Sequence, residues 1–132
     1  MIDEQYVGYD TAELLKKAGF LEQTDTCYFG TTNRIGGATT ITEDNGVLPR
    51  PTQAVAARWL REKKRLHVYA IQTNLPLTEP QTTHWEWGYI VTKVDDPNTP
   101  DELFDMNYTT YEEAMEAGIR HAIESVIDKQ EK

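Results

Sequence analysis

Three stretches of the chain repeat apolar residues at helical spacing, and the stretches between them alternate instead. Over residues 11–18, Leu14, Leu15 and Ala18 share one side. Asp10 followed by Glu13 has the spacing in which a capping carboxylate and a reciprocal Glu satisfy free amides of a first turn. Tyr9 and Leu14 are placed as a hydrophobic staple, and Gly19 stands where a left-handed residue ends a helix. From Thr52 to Lys64 the face Val55, Ala56, Trp59, Leu60 recurs every three to four residues, with Thr52 as cap and Pro49 and Pro51 holding the approach extended. The third pattern is the longest. Tyr111, Ala114, Met115, Gly118, Ile119, Ala122, Ile123, Val126 and Ile127 form one continuous stripe, and Thr110 with Glu113 repeats the capping-box spacing.

Residues 26–30 and 38–42 are rich in β-branched and aromatic side chains, and the glycine-bearing residues 31–37 read as a hairpin loop between two strands. Residues 66–73 alternate Leu66, Val68, Ala70 against His67, Tyr69, Ile71; a proline-bearing turn follows over 74–80. Residues 83–94 alternate again, with Trp85, Trp87, Tyr89 and Val91 on one face and His84, Glu86, Ile90 and Thr92 on the other. Residues 95–105, with Pro97 and Pro100, read as an acidic linker. The order is helix, two strands, helix, two strands, helix. Hairpins between helices point to an α+β fold: an antiparallel sheet of about four strands with helices packed mainly on one face. At 132 residues the chain is expected to form one domain, burying roughly two-thirds of its unfolded surface.

Thirteen basic against 22 acidic residues give a net charge of -9, which argues against a generic coat for nucleic acid. That average conceals a division: residues 47–66 carry +5, whereas 1–46 carry -5 and 94–132 carry -8. One reading makes Arg50, Arg58, Arg61, Lys63, Lys64 and Arg65 a solvated face that partly neutralises the acidic flanks. The sharper reading makes it a contact surface for an anionic partner or for the acidic face of a second copy. No run is long and apolar enough to span a bilayer, and the opening MIDEQYVGYD is acidic where a secretory signal is basic and then apolar. With a single cysteine, these features lead to the expectation of a cytoplasmic protein with no membrane partner.

Candidate chemistry is sparse. His84 and Glu86 share a strand face, but a metal or general-base site needs a third group, and none is spaced to supply it. His121 lies at the edge of the last apolar stripe, and Cys27, inside a strand, reads as a packed small hydrophobe. Gly36 and Gly37 lack the following Lys-Ser/Thr and helix of a phosphate loop. No catalytic residue, metal ligand or cofactor is therefore assigned; an active site assembled across a dimer interface is the route to an enzyme left open. The candidate binding residues are Arg50, Arg58, Arg61 and Arg65 on the basic segment, and Trp85 and Trp87, whose ridge either stacks on a partner or fills the core under the helices.

The segments YVGYDTAELLKKAGF, LPRPTQAVAARWLREKKRLHVYA, WEWGYIV and TYEEAMEAGIRHAIE, about half of the chain, resemble a family of small uncharacterised proteins encoded by phages and prophages of gut bacteria. That resemblance brings no activity and no site residue; it implies an intracellular, phage-related accessory protein. The leading expectation is a non-enzymatic interaction protein that binds a protein partner or itself. The alternatives are a nucleic-acid binder using the basic helix over 52–65, and an acidic mimic of nucleic acid that occupies a host protein.

Overall fold

The computed structural model describes residues 5–29, 34–42, 45–76, 83–95 and 102–130. The elements run α1 (Tyr9–Lys17), β1 (Thr26–Phe29), β2 (Arg34–Gly37), β3 (Val47–Pro49), α2 (Gln53–Lys63), β4 (Leu66–Pro76), β5 (Thr83–Lys93), β6 (Glu102–Tyr108) and α3 (Tyr111–Gln130). The fold is α+β with antiparallel pairing throughout. Its strands make two sheets of three, ordered β2-β1-β3 and β4-β5-β6. Two short segments account for the departure from one four-stranded sheet. β3 is three residues long and ends at Pro49, yet it pairs with β1. β6 begins inside the stretch read as an acidic linker, runs three residues past it, and extends the β4–β5 hairpin into a meander.

The first hairpin also shifts from its expected place. Its second strand is Arg34–Gly37, not residues 38–42, because the two glycines taken for a loop lie in the ladder opposite Thr26 and Cys27. The Phe29 ring lies over Gly36 so closely that a Cβ there would stand 2.1 Å from the ring edge, so an aromatic covers the bare strand position.

Helix α3 packs on β4 and β5 and against α1 and α2, while α2 leans on β4 and α1 on β3. One continuous core results, with Leu15 and Phe20 from the first helix and its exit, Tyr28 and Leu48 from the small sheet, Trp59 and Leu60 from α2, Val68 from β4 and Ile119 and Ile123 from α3. β1 alternates across its sheet: Tyr28 joins this core, whereas Cys27 and Phe29 face a smaller cluster with Ile41 and Val47. α3 approaches the large sheet very closely. A Cβ at Gly118 would meet Val68 Cγ1 at 2.8 Å and Tyr89 Cβ at 3.0 Å, so the bare position sets the helix–sheet distance. Two residues expected in apolar stripes are exposed instead, Val55 on α2 and Tyr111 at the start of α3.

The helix ends follow the expected rules at three of the four places where the sequence predicts a cap or stop. Thr52 Oγ1 accepts from Val55 N–H at 3.2 Å, and Thr110 Oγ1 from Glu113 N–H at 3.1 Å. Gly19, at φ 106°, closes α1 in the left-handed region. The start of α1 differs: the N-cap is Gly8, Asp10 lies inside the first turn, and no side chain of the neighbouring segment caps it.

Candidate functional site

A crevice of about 860 Å³ opens where the start of the chain, the small sheet and the first half of α3 meet. Its floor is made by backbone pairing. Val7 N–H donates to Pro51 O at 3.0 Å and Gln53 N–H to Gln5 O at 2.8 Å, with Tyr6 bridged to Thr52. Tyr28 reaches up from β1 to donate its hydroxyl to Val7 O at 2.7 Å. Tyr6, Tyr28 and Arg50 line the crevice together with Glu112, Glu113, Glu116, Ala117 and Arg120 of α3, and Gln5, Gln53 and Tyr108 complete it.

Arg50 sits between Pro49 and Pro51, whose fixed φ angles keep this connection extended. Its backbone N–H donates to Thr24 Oγ1 at 3.1 Å and its Nη1 to Thr26 Oγ1 at 2.8 Å. The guanidinium carbon lies 4.1 Å from the centroid of the Tyr6 ring and 5.7 Å from that of Tyr28, a cation–π arrangement that holds the plane in place. Nε is buried and has no hydrogen-bond partner, and no carboxylate pairs with Arg50 among the described residues. A cation carrying five donors with a single side-chain bond is poised to accept an oxyanion.

The carboxylates of the crevice are mostly engaged within the fold. Glu116 accepts from Gly8 N–H at 2.9 Å, from the Thr11 hydroxyl, and from Gln53 Nε2 at 3.1 Å. A carboxylate delivered from α3 thereby caps the positive end of α1, which Gly8 cannot do itself. Gln53, only 5% exposed, also donates to Glu112 O at 2.9 Å. Glu113 accepts from the Thr109 backbone and hydroxyl. The Glu112 side chain and Arg120 are exposed and make no hydrogen bond or ion pair among the described residues.

The other expected site residues are not gathered here. Arg58 pairs with Glu62 one turn on at 3.1 Å, Arg61 is exposed on the same helix, and Arg65 forms a two-point pair with Asp95 at 2.9 and 2.6 Å. Trp87 is half-buried with its ring edge-on to Tyr111 at 5.5 Å, and the Trp85 side chain lies outside the described residues. Tyr89, next along that face, is buried and its hydroxyl lies 3.2 Å from His121 Nδ1. His67 stacks beside Tyr69, and Cys27 is fully buried. The His84 side chain also lies outside the described residues. No group of three or more His, Cys, Asp or Glu side chains converges among the described residues. Tyr6, Gln53, Glu116 and Arg120 were not legible as site residues: Glu116 and Arg120 fall outside the apolar stripe of α3, and no local pattern gives Tyr6 or Gln53 a role.

The Arg65 hydrogen bond, reinforced by its charge, holds the Asp95 carboxyl below the usual carboxylate range. A depressed folded-state pKa contributes stability above the ordinary carboxylate value, and that contribution disappears as pH falls through the depressed one. Arg65→Ala should return the Asp95 titration, followed by its side-chain carboxyl ¹³C shift, to the ordinary range; an unchanged titration would mean the pair does not persist in solution. Both side chains are more than half exposed, so the effect on overall stability should be small.

No family model, curated protein or solved structure matches this chain. Among the described residues no helix is long and apolar enough to cross a membrane.

Proposed function

We propose that the chain is a non-enzymatic interaction protein, of the phage-related kind its segments resemble, acting in the cytoplasm of a bacterial host and using the Arg50 crevice as its recognition site. The supporting observation is the Arg50 guanidinium itself: clamped between Thr26 and Tyr6, lining a crevice, and making no ion pair among the described residues. A partly buried cation without an ion pair costs folding free energy, which a bound anion would offset. The nucleic-acid alternative has less support, because Arg58 and Arg65 already pair with Glu62 and Asp95 and leave a shorter basic stripe. The acidic-mimic alternative loses Glu113 and Glu116 to bonds within the fold.

Ala117, half-buried on the crevice wall, offers the test. Ala117→Trp fills the crevice and leaves the basic face of α2 untouched. A tagged pull-down from host lysate, with and without nuclease, should retain a stoichiometric, nuclease-resistant partner for the parent chain and lose it for Ala117→Trp. Equal capture by both chains would reject the crevice as the recognition site. Recovery of nucleic acid alone, lost on nuclease treatment, would move the arginines of α2 to first place.

A further inference from the structure

We infer that the Arg50 crevice binds a carboxylate, a ligand class that rests on reading the crevice as the recognition site. Three observations lead there. The first is which part of Arg50 is unused. Nη1 is taken by Thr26, while Nε and Nη2 make no hydrogen bond among the described residues. These two nitrogens form one edge of the guanidinium, with two parallel N–H bonds spaced for the two oxygens of one carboxylate. The second is rigidity: the Tyr6 ring 4.1 Å beneath the guanidinium and the Thr26 bond hold it before any ligand arrives, which reduces the ordering cost of binding.

The third is charge. Arg50 and Arg120 share the crevice with Glu112, Glu113 and Glu116, so its lining carries one more negative than positive group. A monoanion can settle on Arg50 against that background. A phosphate dianion places a second charge facing three glutamates and is disfavoured by like-charge repulsion, least screened in the partly closed crevice. The tyrosines of the wall add apolar surface for whatever carries the carboxylate. Nε is buried and unpartnered, and its N–H resonance reports an arriving acceptor directly.

Two sources share this chemistry: a small aromatic or aliphatic carboxylate, and the chain end of a partner protein. The experiment follows the Arg50 Nε–H signal in ¹⁵N-labelled full-length protein. It titrates sodium benzoate, inorganic phosphate at matched ionic strength, and the peptide acetyl-Gly-Gly-Phe with a free or an amidated end. The expected result is a saturable shift with benzoate or the free-acid peptide, at least about tenfold weaker binding of phosphate and of the amide, and about a tenfold loss in Arg50→Lys, which keeps the charge but not the two-donor edge. Response to benzoate alone assigns a small molecule, and response to the peptide alone assigns a chain end; either supports the carboxylate. Arg120→Gln, at an exposed position, should weaken binding severalfold and serves if Arg50→Lys does not fold.

Phosphate binding as tight as the carboxylates, equal binding of the amide, or no saturable shift with any probe would overturn the carboxylate. The recognition reading fails on a different result, the unchanged capture of partner by Ala117→Trp. Lost capture together with silent probes therefore removes the ligand class and keeps the site.

Discussion

Replacing Glu116 by Ala is expected to destabilise the fold by about 2–3 kcal/mol, a large share of the roughly 5–15 kcal/mol that holds a domain together. Three donors lose their acceptor at once. The Gly8 N–H is exposed and rehydrates at little cost. The Thr11 hydroxyl is 1% exposed and is left unsatisfied, which costs about 1–3 kcal/mol. The start of α1 loses the carboxylate that caps it, worth about 0.5–2 kcal/mol by analogy with ordinary N-caps. Gln53 keeps its second bond, to Glu112 O, and adds less. Glu116→Gln should recover part of the loss, because one acceptor oxygen remains while its amide group meets the amide of Gln53 or the hydroxyl of Thr11. Urea unfolding gives the magnitude, and amide exchange tests the mechanism: residues 9–12 should open faster while the centre of α3 stays protected. Uniform acceleration along the chain would show that Glu116 stabilises the molecule generally and does not anchor α1.

The second large effect is expected at Phe20, where substitution by Ala should cost about 3–5 kcal/mol. Phe20 is fully buried and meets the Trp59 ring edge-on at 5.2 Å, so it joins the exit of α1 to the inner face of α2. Its backbone cannot follow a shrinking side chain inward, because Gly19 turns the chain at φ 106° and the Phe20 N–H is bonded to Leu15 O at 2.9 Å. A void is the consequence, lined by groups that have lost their dispersion partners. Phe20→Leu, closer in volume, should cost less than half as much. Unfolding monitored by tryptophan fluorescence measures both variants, and a Phe20→Ala cost below about 1 kcal/mol would mean that the site collapses without leaving a cavity.

The elements that were legible in the sequence are those whose pattern is local and long. α3 announced itself through nine apolar residues in one stripe, and the β4–β5 hairpin through alternation that the structure carries from Leu66 to Pro76 and from Thr83 to Lys93. What was misread depended on residues far away in the chain. Asp10 looked like the cap of α1, but the anion that serves that end comes from Glu116, and no short window contains both. Gly36 looked like a turn because the covering Phe29 ring is visible only once β1 and β2 are paired. β6 was concealed by the prolines and acids just before it. The same distinction governs the site. Arg50 stood out by charge between two prolines, whereas Tyr6 and the α3 glutamates acquire meaning only when the N-terminal segment and the last helix are folded against it.

The bare position at Gly118 has a consequence for how this protein can change over generations. It seats α3 on Val68 and Tyr89, while Glu116 and Arg120, each two residues away and so about 200° around the helix, point into the crevice. Seat and crevice wall are thus carved into one rod. Inserting a single residue between Glu116 and Gly118 would turn everything before it by about 100° relative to the seat and carry the crevice glutamates off the wall while Arg120 stays. Descendants of this chain inherit the residue count of α3 as a fixed length and Glu116 as a structural tie, and new specificity is more accessible from the Pro-Arg-Pro side.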